Sequence, residues 1–442
     1  MGLADRLAAD IARDRLRPGD RLPTHRSLAR TLGVTVGTVA RAYAEAERRG
    51  LVAGEVGRGT FVRSGFGLAG TPVSGTVDLA SLHPPITGGV DPSALLGATL
   101  SALAADPEAL RSVTATEQST DASAHRAAGA AWASHAGFRP APERVLLTAG
   151  AQHALTITLL ALATGGTVAT APLTNPGLIA AARHLGVPLT TVDCDDDGML
   201  PDALARACAA DRVRLVYLQP TLANPDGRTM PTARRSELAE VCDRANVWVL
   251  EDDPLGPLAA PRPGPLAALL PHRTCYVSSA AKVLTLGLRI GVVAAPEAAH
   301  TDLAAALRAT TWLAAPLMGE ILTRWIDDGT AAAITSARRT AVAARTAMAA
   351  GILADLGARI TPAAPHLWLP LPEPWTVGQF TAAARDAGVV VSPGDEYVAV
   401  RRQAAFGVRV GLNADADDDT LRRALMTLAK LIHSRPDTAG LG

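Results

Sequence analysis

Lysine is the residue this chain has least use for. Among 442 residues there are two, Lys282 and Lys430, against forty arginines, so nearly every surface cation is a guanidinium. Cysteine is also scarce. The four present, Cys194, Cys208, Cys242 and Cys275, lie far apart with no CxxC pair, which argues against a metal ribbon and fits a reducing compartment. No apolar run reaches ~18 residues and no charged leader with an apolar core opens the chain. The expectation is a soluble, cytoplasmic protein with no membrane partner and no metal site. Net charge is absent too, at +0 overall.

That zero hides an uneven spread. Residues 1–63 carry twelve arginines against seven acids, a net +5, and the remainder carries −5. A basic head on an acidic body points to an anionic partner for the head. Hydrophobic residues at 48% and charged residues at 19% support sizeable cores rather than disorder. The length suggests two or three domains.

Lys282 sits in YVSSAAKVLTLGLRIG, where no other charge appears before Arg289. An amine loses its proton when desolvated and then forms a Schiff base with a carbonyl compound; a guanidinium does neither. Lys282 is therefore the first candidate for chemistry.

At the N-terminus, Leu3, Leu7 and Ile11 repeat at helical spacing up to the turn signal Pro18-Gly19-Asp20. Thr24 is placed to cap a second helix, Gly33 to turn the chain, and Thr35 to cap a third helix whose buried stripe is Val39, Ala42, Tyr43 and Ala46. Two short strands follow around residues 51–62, with Arg58 at the hairpin tip. Helix, glycine turn, helix and hairpin make a winged helix with its third helix directed at a major groove. The run PGDRLPTHRSLARTLGVTVGTVARAYAEAERRGLV, closed by GRGTFV, resembles the GntR family. That resemblance implies double-stranded operator DNA as partner and Arg26, Thr35, Thr38, Arg41 and Arg58 as its contacts. Val36 and Gly37 stand where many relatives carry arginine and a polar residue.

Residues 64–77 turn to Gly, Ser, Thr and Pro, the composition of a linker. Helices are expected over 91–105 and 122–135. From Arg144 onward, strands at 145–147, 167–170, 189–192, 213–218, 247–250 and 274–277 alternate with helices, which implies a mostly parallel sheet with chemistry at the strand ends. The residues at those ends are Gly150 and Ala151 at a helix start suited to phosphate, then Asn224, Asp252, Lys282 and Arg289. An amine, a carboxylate for a ring nitrogen, an amide for a ring hydroxyl and a guanidinium for a phosphate are what pyridoxal phosphate requires.

The segments LLTAGAQHAL, YLQPTLANPDGRTMPTARR, VLEDDP, AAKVLTLGLRIG, HLWLPLP and FGVRVGL resemble fold-type I aminotransferases. Joined to the head, they resemble the MocR subgroup of GntR regulators. The resemblance implies an α/β fold with a winged helix-turn-helix at 1–66, a linker at 67–77 and an aminotransferase-like body at 78–442, its large part at about 78–310 and its small part at about 311–442. It further implies pyridoxal 5'-phosphate as cofactor, with Lys282 forming the Schiff base, Asp252 on the pyridine nitrogen and Asn224 on the ring oxygen. Gly150, Ala151, Gln152, Ser279 and Arg289 would lie at the phosphate. Arg409 would take the carboxylate of an amino compound acting as effector, and the protein would be a homodimer. Three positions depart from the pattern: Asn175 replaces a stacking aromatic, Leu255 a tyrosine and Ala281 a serine. Their loss costs cofactor binding ~2 to 4 kcal/mol and weakens the case for turnover. Three readings stay open: a cofactor-binding regulator, an active aminotransferase with a DNA-binding head, and a cofactor-free regulator whose body is a dimerisation scaffold.

Overall fold

The computed structural model describes residues 2–12, 15–16, 20–49, 51–55, 59–62, 76–86, 89–114, 123–400, 406–412 and 416–434. In the head, α1 (Leu3–Ala12) buries Leu7. Thr24 caps α2 (His25–Leu32) by accepting from the Ser27 amide, and Gly33 ends it at φ 64°. Thr35 caps α3 (Val36–Arg48) in the same way through the Thr38 amide. The Tyr43 hydroxyl donates to the Pro23 carbonyl at 2.8 Å and ties α3 to the entry of α2. Strands β1 (Arg21–Leu22), β2 (Val52–Glu55) and β3 (Gly59–Val62) form an antiparallel sheet in the order β1-β3-β2. Val39, Ala46, Val52 and Val62 close the core under this wing. Arg58 lies outside the described residues.

The body is built on a seven-stranded sheet. Its strands are β5 (Val145–Thr148), β6 (Thr167–Thr170), β7 (Leu189–Thr191), β8 (Val213–Leu218), β9 (Trp248–Asp252), β10 (Thr274–Ser279) and β11 (Gly291–Ala294), preceded in the chain by β4 (Val77–Asp78). They run in the order β5-β11-β10-β9-β8-β6-β7. Neighbours from β10 through β7 pair parallel, while β11 pairs antiparallel with both β10 and β5. Successive residues of each strand face opposite layers. Leu250, Val277 and Val293 pack beneath α5 (Ala151–Leu162) and α7 (Glu297–Thr310). Val249 packs on the other side with Leu204 and Leu238 of two further helices.

The small domain has an antiparallel sheet of β12 (His366–Pro370), β15 (Gly407–Gly411) and β14 (Ser392–Pro393). It packs on α8 (Thr330–Leu353) and α9 (Asp418–His433), with Leu353, Leu367, Val408, Val410 and Leu425 in its core. Alternation then decides one functional position. Val408 and Val410 enter that core, so Arg409 between them points the other way.

Two features differ from the sequence reading. β11 was not anticipated, because GVVA between a glycine-rich turn and a helix reads equally as the end of either. In addition β4, at the junction assigned to linker and large part, pairs parallel with β13 (Val389–Val390) of the small domain. The expected helix over 91–105 is α4 (Pro92–Ala104), capped by Asp91, and that over 122–135 is Ser123–Ala133, with Ala122 outside the described residues. Among the described residues no helix is long and apolar enough to cross a membrane.

Candidate cofactor and effector site

The parallel strands bring the candidate residues to one edge. Asp252 is the last residue of β9 and is 2% exposed. Its Oδ2 accepts from the Tyr217 hydroxyl at 2.6 Å, Gln219 Nε2 at 2.9 Å and Asn175 Nδ2 at 3.4 Å. Its Oδ1 is buried with no partner among the described residues. Burial pushes this carboxyl up to about 6 against the pull of the three donors. Oδ1 is thus a buried acceptor lacking a donor, the position a protonated ring nitrogen would complete. The neighbours have separate work: Glu251 accepts from the Leu266 and Ala267 amides, and Asp253 pairs with Arg262 at 2.7 Å.

Lys282 lies three residues beyond β10, in the turn leading to β11. Its Nζ donates to the Leu82 carbonyl at 3.3 Å. Burial, then the charges of Arg409 and Arg289, push the amine down to about 8. β11 then returns the chain to β5, pairing Gly291 with Thr148. A Cβ on Gly291 would come within 2.5 Å of the Gly150 backbone, so only glycine fits there. The close approach sets the Arg289 guanidinium against Gly150, where a Cβ would meet its Nη2 at 2.7 Å. Gly150 has φ 83° and stands at the N-cap of α5. Ala151 is the first helical residue, so helix-start amides and a guanidinium face the same space and fit a phosphate. The residues present therefore suit pyridoxal phosphate at both its ring and its phosphate ends.

Not every candidate is placed as expected. Gln152 is exposed and its Nε2 donates to the Gly177 carbonyl at 3.0 Å, toward the start of α6 (Pro176–Leu185). The Ser279 hydroxyl donates to the Ile290 carbonyl and accepts from the Ala281 amide, both at 3.2 Å, so it shapes the Lys282 turn. Asn224 accepts on Oδ1 from Arg409 Nη1 at 3.2 Å. Arg409 is 7% exposed, donates also to the Ala80 carbonyl, lies 5.5 Å from the centre of the Tyr397 ring, and keeps a buried Nε with no partner among the described residues. In the head, Arg26 and Arg41 are exposed, and the hydroxyls of Thr35 and Thr38 bond each other at 2.9 Å.

Sequence reasoning missed Tyr217 and Gln219. Tyr217 lies on β8 and Gln219 one residue past its end, ahead of Asn224; that spacing of two, which in an extended chain puts both on one face, was the available signal. Asn175 was read as a loss; it caps α6 through the Gly177 amide at 3.0 Å and reaches Asp252.

The head matches the family of bacterial regulatory proteins, gntR family, over residues 2–62. The body matches aminotransferase class I and II over residues 96–428. YdeF of Bacillus subtilis, an HTH-type transcriptional regulator, is 26% identical over 97% of this chain and 93% of its own length. PdxR of Corynebacterium glutamicum, a pyridoxine biosynthesis transcriptional regulator, is 27% identical over 66% of this chain and 65% of its own. Among solved structures, an archaeal alanine:glyoxylate aminotransferase has a TM-score of 0.73 at 21% identity, covering 81% of this chain and 91% of that one. The α-aminoadipate aminotransferase LysN from Thermus thermophilus has a TM-score of 0.71 at 22% identity, covering 81% and 92%. Fold and site together define a winged helix-turn-helix joined to a fold-type I aminotransferase-like body. The chain belongs to the aminotransferase class I and II family, and a gntR-type head on such a body is consistent with the MocR subgroup of transcription regulators. Enzymes of that fold family depend on pyridoxal phosphate.

The raised Asp252 carboxyl has a stability consequence. A folded-state value near 6, above the usual 3.8, means that ionised Asp252 costs stability above pH 6, and that the cost fades as pH falls through 6 toward 4. Asp252→Asn keeps an acceptor for the three donors and puts an amide where Oδ1 lies. It is expected to raise the stability of the chain without added cofactor at pH 7 by roughly 1–3 kcal/mol, with a smaller gain at pH 4. Urea midpoints at the two pH values check this, and a loss at pH 7 would contradict it.

Proposed function

We propose that this regulator binds operator DNA as a homodimer through its winged head, holds pyridoxal phosphate in its body, and senses an amino acid or related amine at Arg409. The Asp252 Oδ1, buried and without a partner among the described residues, with a desolvated Lys282 three residues beyond the neighbouring strand, is the observation that carries the cofactor assignment. The cofactor would supply an aldehyde for covalent capture by an amine. Lys282 would provide that amine, Asp252 the countercharge to the ring nitrogen, Asn224 a bond to the ring oxygen, and the start of α5 with Arg289 the phosphate cradle. Tyr217, Gln219 and Asn175 orient Asp252. Arg409, braced by Asn224 and Tyr397, offers its guanidinium to a carboxylate.

Dimerisation draws support from α4. This helix, PSALLGATLSALA, carries no charge, yet its Ala94, Gly97, Ala98 and Leu100 are exposed. An uncharged helix with apolar exposed positions calls for cover. Turnover as an aminotransferase is the second reading, favoured by the intact Lys282, Asp252 and Arg409 set. Against it, Asn175 takes the place of a stacking ring, and the Leu255 and Ala281 side chains cannot hydrogen-bond.

Pyridoxal phosphate added to the full chain should produce the yellow absorbance of protein-bound pyridoxal, absent in Lys282→Ala. Its rate of appearance should rise with pH around a midpoint of about 8, since the neutral amine attacks. In the same preparation, sedimentation should give two chains per DNA duplex. Affinity for that duplex should fall with salt by a log-log slope of ~0.9 per phosphate neutralised. An identical spectrum in the variant removes the cofactor, a single chain per duplex removes the dimer, and a flat salt response removes DNA reading.

A further inference from the structure

Residues 76–86 follow the head and linker in sequence and cross the cofactor site. At one end this segment is held by backbone bonds to the small domain: Val77 to the Gly388 carbonyl and Leu79 to the Val390 carbonyl, both at 2.8 Å, with the Gly411 amide donating to Leu79 at 2.7 Å. Beyond Leu79, every second carbonyl meets a cation. Ala80 accepts from Arg409, Leu82 from Lys282 at 3.3 Å, and Pro84 from Arg338. Arg338 also donates to the Leu284 carbonyl at 3.0 Å, in the turn that carries Lys282. Two of the three ties are thus made by the groups assigned to aldehyde and carboxylate.

We propose that residues 79–84 are a strap through which the site controls the head. The inference rests on the function proposed above. A Lys282 amine that condenses with an aldehyde forms a C=N bond and releases one water, keeping at most one hydrogen on nitrogen. With two fewer N–H bonds to offer, its tie to the Leu82 carbonyl weakens. A carboxylate forked onto Arg409 competes with the Ala80 carbonyl in the same way. Both events loosen the strap, while Arg338 stays as its pivot. Thirteen residues, 63–75, separate the strap's leading segment from the last described strand of the head.

The test is amide hydrogen exchange of residues 79–83 in the full chain, with α5 as the control for intact fold. Without added cofactor, Lys282→Met and Arg409→Gln should each speed exchange about threefold to tenfold, the weight of one lost hydrogen bond. Pyridoxal phosphate alone should speed it in the wild type and leave Lys282→Met unchanged. Lys282→Met should also show, without cofactor, the DNA affinity that the wild type reaches only with it. Wild-type exchange in both variants overturns the strap. So does unchanged wild-type exchange while the yellow absorbance shows pyridoxal attached, or a variant whose DNA affinity ignores the lost tie. If no absorbance develops, the cofactor reading fails, and the two variants still decide whether the cations hold the strap.

A second inference comes from the head. Thr35 and Thr38 bond each other, leaving an apolar strip where α2 turns into α3: Leu32, Val34 and Val36 are 41%, 39% and 46% exposed, with Arg26 of α2 and Arg41 of α3 exposed as well. The basic charge around this strip fits duplex DNA, and the apolar feature a major groove offers is the thymine methyl. We infer that Val36 reads a thymine methyl group. Duplexes selected by the full chain from a random pool, then remade with deoxyuridine at one thymidine at a time, test this. One position should weaken wild type about fourfold, the worth of one buried methyl, and have no effect in Val36→Ala. No such position, or equal sensitivity in the variant, overturns the assignment. A change in oligomeric state in Val36→Ala assigns the strip to a second copy instead. Failure to select any duplex would reject DNA reading itself.

Discussion

An amine stripped of water beside two guanidiniums is the constraint on which this structure turns. Lys282 is disfavoured as a cation by burial and by Arg409 and Arg289 together. A chain that uses arginine almost everywhere else keeps a lysine there although the hydrogen bond it makes, to the Leu82 carbonyl, is one that a guanidinium also makes. What the position offers is a nitrogen partly neutral near physiological pH. The same desolvation acts on the Asp252 carboxyl, held by three donors on one oxygen and by none on the other. Amine and acid are both costly to the fold, and a ring that accepts one and neutralises the other offsets the cost.

The sheet makes this arrangement possible. Parallel strands deliver Asn224, Asp252 and Lys282 to one edge, and the antiparallel β11 turns back so that Arg289 meets Gly150. Gly291 is the hinge of that approach, since any side chain would strike the Gly150 backbone. Across the cleft, the two-residue alternation of β15 aims Arg409 out of the small-domain core and toward Asn224. Strap, small domain and large domain therefore meet at a few charged side chains set beside buried apolar contacts, with Leu79 in the small-domain core and Leu82 packed among Tyr276, Val283 and Val342.

Much of this was legible in the sequence because the signals were local. The capping threonines, Gly33 and the apolar stripe of α3 specified the head, and strand-to-helix alternation with polar residues at strand ends specified the sheet and its chemical edge. What escaped reading depends on contacts distant in sequence. Ala80 and Leu82 take part through carbonyls that every residue possesses, so no side chain advertised them. Asn175 looked like a missing ring; its second role as a donor to Asp252 emerges when residues 77 positions apart meet. Resemblance puts Ser279 and Gln152 near the phosphate, and the bonds of their side chains to the Ile290 and Gly177 carbonyls join positions that local sequence does not link.

The central claim is that one of two lysines is kept for capture of an aldehyde. Borohydride reduction of the full chain after incubation with pyridoxal phosphate, followed by mass mapping of peptides, tests it most directly. Lys282 should carry the phosphopyridoxyl mass, with the exposed Lys430 unlabelled or labelled only in trace. Label on Lys430 alone, or on neither residue, would contradict the account.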